Sequence, residues 1–201
     1  MSTFEVEIKF RVDNVADLEC RLRQRFGEVE FSGPVTETDA FFEHPCRDFK
    51  QTDEALRLRC REFPDGTSEH SLTYKGPKID TSTKTRREIE LPITDSERWD
   101  SLLSALGFSQ FATVQKFRRR LKLTVNHRHI EIVLDTLPVL PESRRTFLEI
   151  ETLATAEALD ECRSLILDLA NQLELGEPIQ DSYLKMVLRR EEKGARSKEK
   201  E

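Results

Sequence analysis

From Phe4 to Val12 apolar and charged residues alternate without a break. In an extended chain this puts Phe4, Val6, Ile8, Phe10 and Val12 on one face and Glu5, Glu7, Lys9 and Arg11 on the other. The same period of two returns over residues 55–62, 71–76, 84–93, 108–125, 128–135 and 147–153, and residues 29–43 read as a further extended stretch. Helical spacing replaces it in four places. Val15, Leu18, Leu22 and Phe26 follow the capping pair Asp13-Asn14 and stop at Gly27, while Trp99, Leu102, Leu103 and Leu106 follow Thr94-Asp95-Ser96 and stop at Gly107. Residues 156–175 form the longest predicted helix, and a short last one runs from Asp181-Ser182 through Leu188. The strands are linked closely enough for an antiparallel meander, and so many strands left open would expose costly edges. The pattern therefore predicts an α+β, β-rich fold: a closed eight-stranded antiparallel tunnel with helices packed outside.

The interior of that tunnel is decided by charge. Basic side chains share one face on Arg57, Arg59 and Arg61 and again on Lys116, Arg118, Arg120 and Lys122, with Lys75 on the face of Ser71 and Thr73. Acidic faces are formed by Glu88 and Glu90, by Glu149 and Glu151, and by Glu131 with Asp135. If these faces looked outward, the helices would find no apolar strand surface to cover. Turned inward, they leave the apolar faces for the helices and create a hydrated, charged lumen. Burying unpaired ions costs several kcal/mol each, so such a lumen must hold matching ligands, and a polyphosphate with divalent cations matches both signs. Carboxylates spaced i, i+2 converge on a hard cation, with Glu5, Glu7, Glu149 and Glu151 as the best candidates. Arginine forks and lysine ammoniums would neutralise phosphate oxygens.

Composition narrows the alternatives. The 32 basic and 38 acidic residues leave a net charge of only -6, which argues against a general nucleic-acid binder. Cys20, Cys46, Cys60 and Cys162 contain no CxxC pair, consistent with reduced thiols in the cytoplasm. No apolar run approaches a membrane span, and neither a GxGxxG nor a GxxxxGK[ST] motif is present, so phosphate binding must come from side chains. His127 and His129 share a face but adjoin a predicted turn, and Asp48, Asp53 and Glu54 read as loop solvation and capping. The domain is expected over residues 1–188, with 189–201 as a charged, disordered tail because it carries almost nothing to bury.

Glu5-Val6-Glu7-Ile8-Lys9 resembles the ExExK signature of the CYTH superfamily, the triphosphate tunnel metalloenzymes. The likeness continues through Thr38-Asp39, the stretch HPCRDF from His44, the stretch TDEALRLR from Thr52, LTYKGPK from Leu72, TRREIE from Thr85, KFRR from Lys116 and LEIE from Leu148. Within the superfamily it is most similar to class IV adenylate cyclases, with thiamine-triphosphatase-like proteins close by. The resemblance implies Mg²⁺ or Mn²⁺ held by Glu5, Glu7, Glu149 and Glu151 with Glu90 and Asp135 as helpers. It implies a triphosphate bound by Lys9, Arg57, Arg59, Lys75, Arg87, Lys116 and Arg118, with Lys185 closing one tunnel mouth. Glu7 and Lys9 carry the expected catalytic roles. Arg87 stands opposite Glu88 and Glu90 in parity, so it needs a bulge to face inward. One departure from the family is the segment 136–145, a longer link with two prolines and no glycine where the family usually has a short glycine-containing turn.

The expected activity is conversion of ATP to cyclic AMP and pyrophosphate. The alternatives are hydrolysis of the terminal phosphate of thiamine triphosphate or tripolyphosphate, and a polyphosphate- or nucleotide-binding module without turnover. The expected partner is a small-molecule triphosphate, not nucleic acid or a membrane, and the sequence leaves monomer and homodimer both open.

Overall fold

The computed structural model describes residues 4–79 and 83–198, the last five of these by their backbone alone. Eight strands close into one antiparallel barrel. They are β1 (Phe4–Arg11), β2 (Val35–Glu43), β3 (Ala55–Glu62), β4 (Ser68–Lys78), β5 (Arg86–Ile93), β6 (Ser109–Val125), β7 (Arg128–Thr136) and β8 (Thr146–Ala154). Around the barrel the order is β1, β5, β4, β3, β2, β6, β7, β8, and β8 pairs back onto β1 from Phe4↔Ala154 to Arg11↔Phe147. The β1–β5 seam is the weakest, with only Phe4↔Arg87 and Glu5↔Arg86 in register. Beside it the backbone N–H of Lys84 donates to the carbonyl of Glu7 at 2.9 Å and extends the closure. The β6–β7 hairpin turns on Asn126 (φ 48°) and His127 (φ 62°), the two left-handed residues that a two-residue type I′ turn requires. His127 thus serves the turn.

The apolar strand faces point outward, as the charge argument required. Val6, Ile8 and Phe10 of β1 pack with Ile132, Leu148 and Ile150 under α1 (Val15–Phe26) and α4 (Leu159–Gln172), whose Leu18, Leu22, Cys162 and Ile166 are fully buried. Each such aliphatic side chain contributes about 1.5–3 kcal/mol. A second apolar patch joins Phe42, Leu56 and Leu58 to Leu103 of α3 (Ser96–Ala105) and to Phe49 of the one-turn helix α2 (Phe49–Thr52). Local chemistry sets the helix starts: Asn14 accepts from the N–H of Asp17, Asp95 from that of Arg98, and Asp48 from those of Lys50 and Gln51. Gly27 at φ 79° ends α1.

The last helix, α5, runs Tyr183–Lys198 and so does not stop at Leu188. The segment from Arg189 to Lys198 is therefore helical where sequence composition suggested a disordered tail, and residues 199–201 lie outside those described. Burial of Tyr183 and Val187 anchors the first turns. The Arg, Glu, Lys and Ala residues that follow are good helix formers, and Arg189 reaches back to pair with Asp181. No described helix is long and apolar enough to cross a membrane.

Candidate active site

The barrel encloses a cavity of about 2160 Å³, lined by inward residues of all eight strands. Its walls differ in sign. On β1 and β8, Glu5, Glu7 and Glu151 bring carboxylate oxygens to within 4.8 Å of one another. Register explains why: Glu7 sits directly across from Glu151, and Lys9 across from Glu149. Two of these acids already have cationic partners, Glu5 with Lys75 at 2.7 Å and Glu7 with Lys84 at 3.0 Å. Lys75 also contacts Glu88 at 2.7 Å.

Glu151 has no ion pair or hydrogen bond among the described residues. Its burial, with Glu5, Glu149 and Glu131 nearby, holds its pKa well above the usual carboxylate range despite Arg118. Burial likewise raises Glu5, offset by Lys75. A carboxylate trio of which one member makes no direct ion pair among the described residues is a donor set that a hard divalent cation fits. Glu5, Glu7 and Glu151 would hold such an ion.

The opposite wall, on β2, β3 and β6, is a lattice of ion pairs. Arg59 grips Asp39 with both Nε (2.5 Å) and Nη2 (2.7 Å). Behind them the fully buried Glu37 is met by Arg59 (3.1 Å), Arg61 (3.0 Å), Lys116 (3.1 Å), Arg118 (3.7 Å) and Arg120 (2.6 Å). Burial alone would raise the Glu37 carboxyl, but Arg118, Lys116, Arg59 and Arg120 overcome it and hold the group far below its ordinary range. Arg118 also binds Asp135 through two nitrogens (2.7 and 2.5 Å) and Glu149 at 2.7 Å. These arginines are held in place before any ligand arrives.

Lys9 bridges the two walls. Its ammonium lies 3.0 Å from Glu149 and 3.4 Å from the centroid of the Tyr183 ring. Burial lowers its pKa to about 8, against the pull of Glu149 and with the help of nearby Lys84. Tyr183, at the root of α5, packs with the inward-facing Phe41, Val114 and Phe147 and with Leu137 of the 136–145 segment. That segment folds back through a hydrogen bond from the N–H of Leu137 to the carbonyl of Arg145 (2.8 Å), so its extra length helps to seat α5 over one end of the barrel.

Of the residues expected in the lumen, Glu5, Glu7, Lys9, Arg57, Arg59, Lys75, Glu90, Lys116, Arg118, Glu149 and Glu151 line the cavity. Asp135 is fully buried behind Arg118. Glu149 is paired with Lys9 and Arg118, Asp135 with Arg118, and Glu90 accepts from the Thr73 hydroxyl at 3.0 Å with Arg57 and Arg61 farther off; the acids whose oxygens converge are Glu5, Glu7 and Glu151. Lys185 stands at the rim, its side chain 56% exposed and paired with Asp181 at 2.8 Å. Arg87 is a correction. It is exposed and faces away from the lumen, because β5 keeps strict alternation and the bulge in this region falls on β4 between Lys75 and Lys78. Its neighbour Arg86 lines the cavity instead.

Besides Arg86, the sequence reading assigned no role to Glu37, Asp39 or Lys84. Glu37 and Asp39 alternate between Val35 and Phe41 with the same i, i+2 spacing as the recognised acidic pairs, and strand parity alone would have found them. Lys84 opens the alternating stretch 84–93 on the same parity as Glu88 and Glu90, but the structure leaves it in the link before β5.

The CYTH domain model matches residues 3–183. A candidate adenylate cyclase of Methanocaldococcus jannaschii is 32% identical over 188 residues, covering 90% of this chain and 97% of that protein. A solved protein of Pyrococcus horikoshii OT3 superposes with a TM-score of 0.78 at 35% identity, over 92% of this chain and 98% of that one. A candidate adenylate cyclase from Vibrio parahaemolyticus gives 0.73 at 28% identity, over 94% and 99%. With a charged eight-stranded tunnel in hand and a family match across nearly its whole length, the chain belongs to the CYTH domain family.

Proposed function

We propose that this protein is a divalent-metal-dependent enzyme that binds a triphosphate within the tunnel, most like a class IV adenylate cyclase. The observation that carries the reading is the opposition of the Glu5, Glu7, Glu151 trio to a wall of arginines and lysines fixed by Glu37 and Asp39. The resemblance of the Methanocaldococcus jannaschii protein, named as an adenylate cyclase candidate, supports it.

Arg57, Arg59, Lys116 and Arg118 take up phosphate oxygens of the substrate and stabilise the charge that builds on the transferred phosphorus. Glu5, Glu7 and Glu151 would hold Mg²⁺ or Mn²⁺, which when bound would supply charge neutralisation for the phosphates and a lowered pKa for the attacking hydroxyl. In the cyclase reaction the 3′-oxygen of ATP bonds to the α-phosphorus, the bond to the β-phosphate oxygen breaks, and pyrophosphate leaves. Lys9, with its pKa lowered to about 8, is a base on the acidic wall suited to take the hydroxyl proton. The same side chains serve the second reading, hydrolysis of thiamine triphosphate or tripolyphosphate. It draws on one observation: Arg57, Arg59, Lys75, Lys116 and Arg118 line the cavity and address phosphate whatever group the phosphate is attached to.

Offering ATP, thiamine triphosphate and tripolyphosphate separately with Mg²⁺ and with Mn²⁺ distinguishes the two. Cyclic AMP with pyrophosphate identifies the cyclase, orthophosphate identifies the hydrolase, and no product from any substrate overturns the enzyme reading. Glu7→Gln is expected to lower turnover on the order of 100-fold or more. Full activity in that variant would remove Glu7 from the site.

A further inference from the structure

Lys84 and Lys75 occupy the oxygens that a metal ion would need. The Lys84 ammonium is 3.0 Å from Oε1 of Glu7, and the Lys75 ammonium is 2.7 Å from Oε2 of Glu5. Both carboxylates belong to the trio whose oxygens lie within 4.8 Å of one another, and the third member, Glu151, feels Arg118 but makes no direct ion pair among the described residues. Both lysines also line the lumen.

We propose that Lys84 and Lys75 are internal counter-cations that compete with the divalent ion for Glu7 and Glu5 and move onto the triphosphate when it binds. The inference rests on the metal and triphosphate reading above. Three carboxylates crowded together repel, and two ammoniums relieve most of that repulsion in the ligand-free protein. A divalent ion placed among the same oxygens displaces Lys84 from Glu7 and Lys75 from Glu5, leaving Lys75 to Glu88 and Lys84 without an ion pair among the described residues. Metal alone is therefore held weakly.

A triphosphate supplies the missing anion. Lys75 retains Glu88 at 2.7 Å and needs only a rotation to share a phosphate oxygen. Lys84 is tethered by its own N–H to the Glu7 carbonyl at 2.9 Å, so its side chain can leave the Glu7 carboxylate while its backbone stays in place. Metal and triphosphate then strengthen each other, and by linkage each does so by the same factor. The tunnel would thus accept the metal–triphosphate complex and discriminate against free metal.

The test is Mn²⁺ binding to the substrate-free protein, followed by the resonance of unbound Mn²⁺, and repeated with tripolyphosphate. Lys84→Met and Lys75→Met are each expected to tighten Mn²⁺ binding without substrate by about tenfold and to shrink the strengthening caused by tripolyphosphate. Lys84→Arg keeps the charge and should behave as wild type. Lys122→Met removes a lumen charge that touches none of the three acids and should change the affinity by less than about twofold. Circular dichroism verifies the fold of each variant, and either methionine variant suffices if the other fails to fold. Unchanged or weaker Mn²⁺ binding in the folded methionine variants, beside normal binding in wild type, overturns this inference and leaves the enzyme reading intact. Wild-type protein that binds no Mn²⁺ even with tripolyphosphate overturns both.

Discussion

Glu37 shows most plainly how single side chains build this site. It has no solvent exposure, touches no expected ligand, and balances five cations that would otherwise repel one another. Because breaking a buried pair leaves its partners uncompensated, Glu37→Gln is expected to cost about 3–5 kcal/mol, read from urea denaturation. The pH dependence follows from the same contacts. The Glu37 carboxyl is held far below its ordinary value by Arg118, Lys116 and Arg59, and that of Asp39 by Arg59, Lys116 and Arg57, so their contribution is complete above about pH 4.5. It falls steadily as pH drops below that, since the unfolded chain then takes up protons that the folded one refuses. The urea midpoint should decline from pH 5 to pH 2 in wild type and decline less in Glu37→Gln. Alternation alone placed Glu5, Glu7, Arg59 and Glu149 correctly, because a strand side chain has only two directions to choose from. It also assigned Arg87 to the outer face unless a bulge intervened, and the intact β5 keeps it there. Lys84 has the parity of Glu88 and Glu90, but alternation says only which face it takes and not that it meets Glu7 across the β1–β5 seam.

Among the elements, α5 has the least legible sequence and the clearest tertiary role. Its first turn sends Tyr183 into the barrel end, where the ring meets Phe147 edge-on at 5.4 Å and carries the Lys9 ammonium on its face. The Tyr183 hydroxyl is buried without a hydrogen-bond partner among the described residues. Removing it is therefore expected to be neutral or to stabilise by about 1 kcal/mol, whereas Tyr183→Ala should cost about 3–5 kcal/mol through the lost ring and cation contact. Thermal unfolding of Tyr183→Phe and Tyr183→Ala checks this pair, and a large loss in the phenylalanine variant would mean that the hydroxyl has a partner. Composition argued for a disordered tail after Leu188 because it counts apolar residues. A helix already nucleated by buried Tyr183 and Val187 can continue on charged residues of high propensity. The 136–145 segment likewise reads as an irregular loop, yet Leu137 is fully buried against the root of α5.

For the barrel as a unit, the expected consequence of a lumen prepared for polyanions is stabilisation by its ligand. Tripolyphosphate with Mn²⁺ at about 100 times the dissociation constant should add about 2.7 kcal/mol and raise the melting temperature by several degrees. A barrel whose charges were only solvated ladders would show no shift. The seam between β1 and β5, short in register and stapled by Lys84, lies beside the acid trio, so closure of the fold and assembly of the site depend on the same contacts.

By itself the amino-acid order determined the strands, their charged and apolar faces and the inward turn of the charges from a period of two that survives any arrangement in space, and the family resemblance from the ordered series of motifs that begins at Glu5. Which acids meet, which are neutralised by arginine, and which lysines stand in for the metal were decided only by the closed barrel. Ion pairing falls off within a few ångströms, and the strand order that brings residues such as Glu7 and Lys84, or Glu37 and Arg118, within that distance is not written in their separation along the chain.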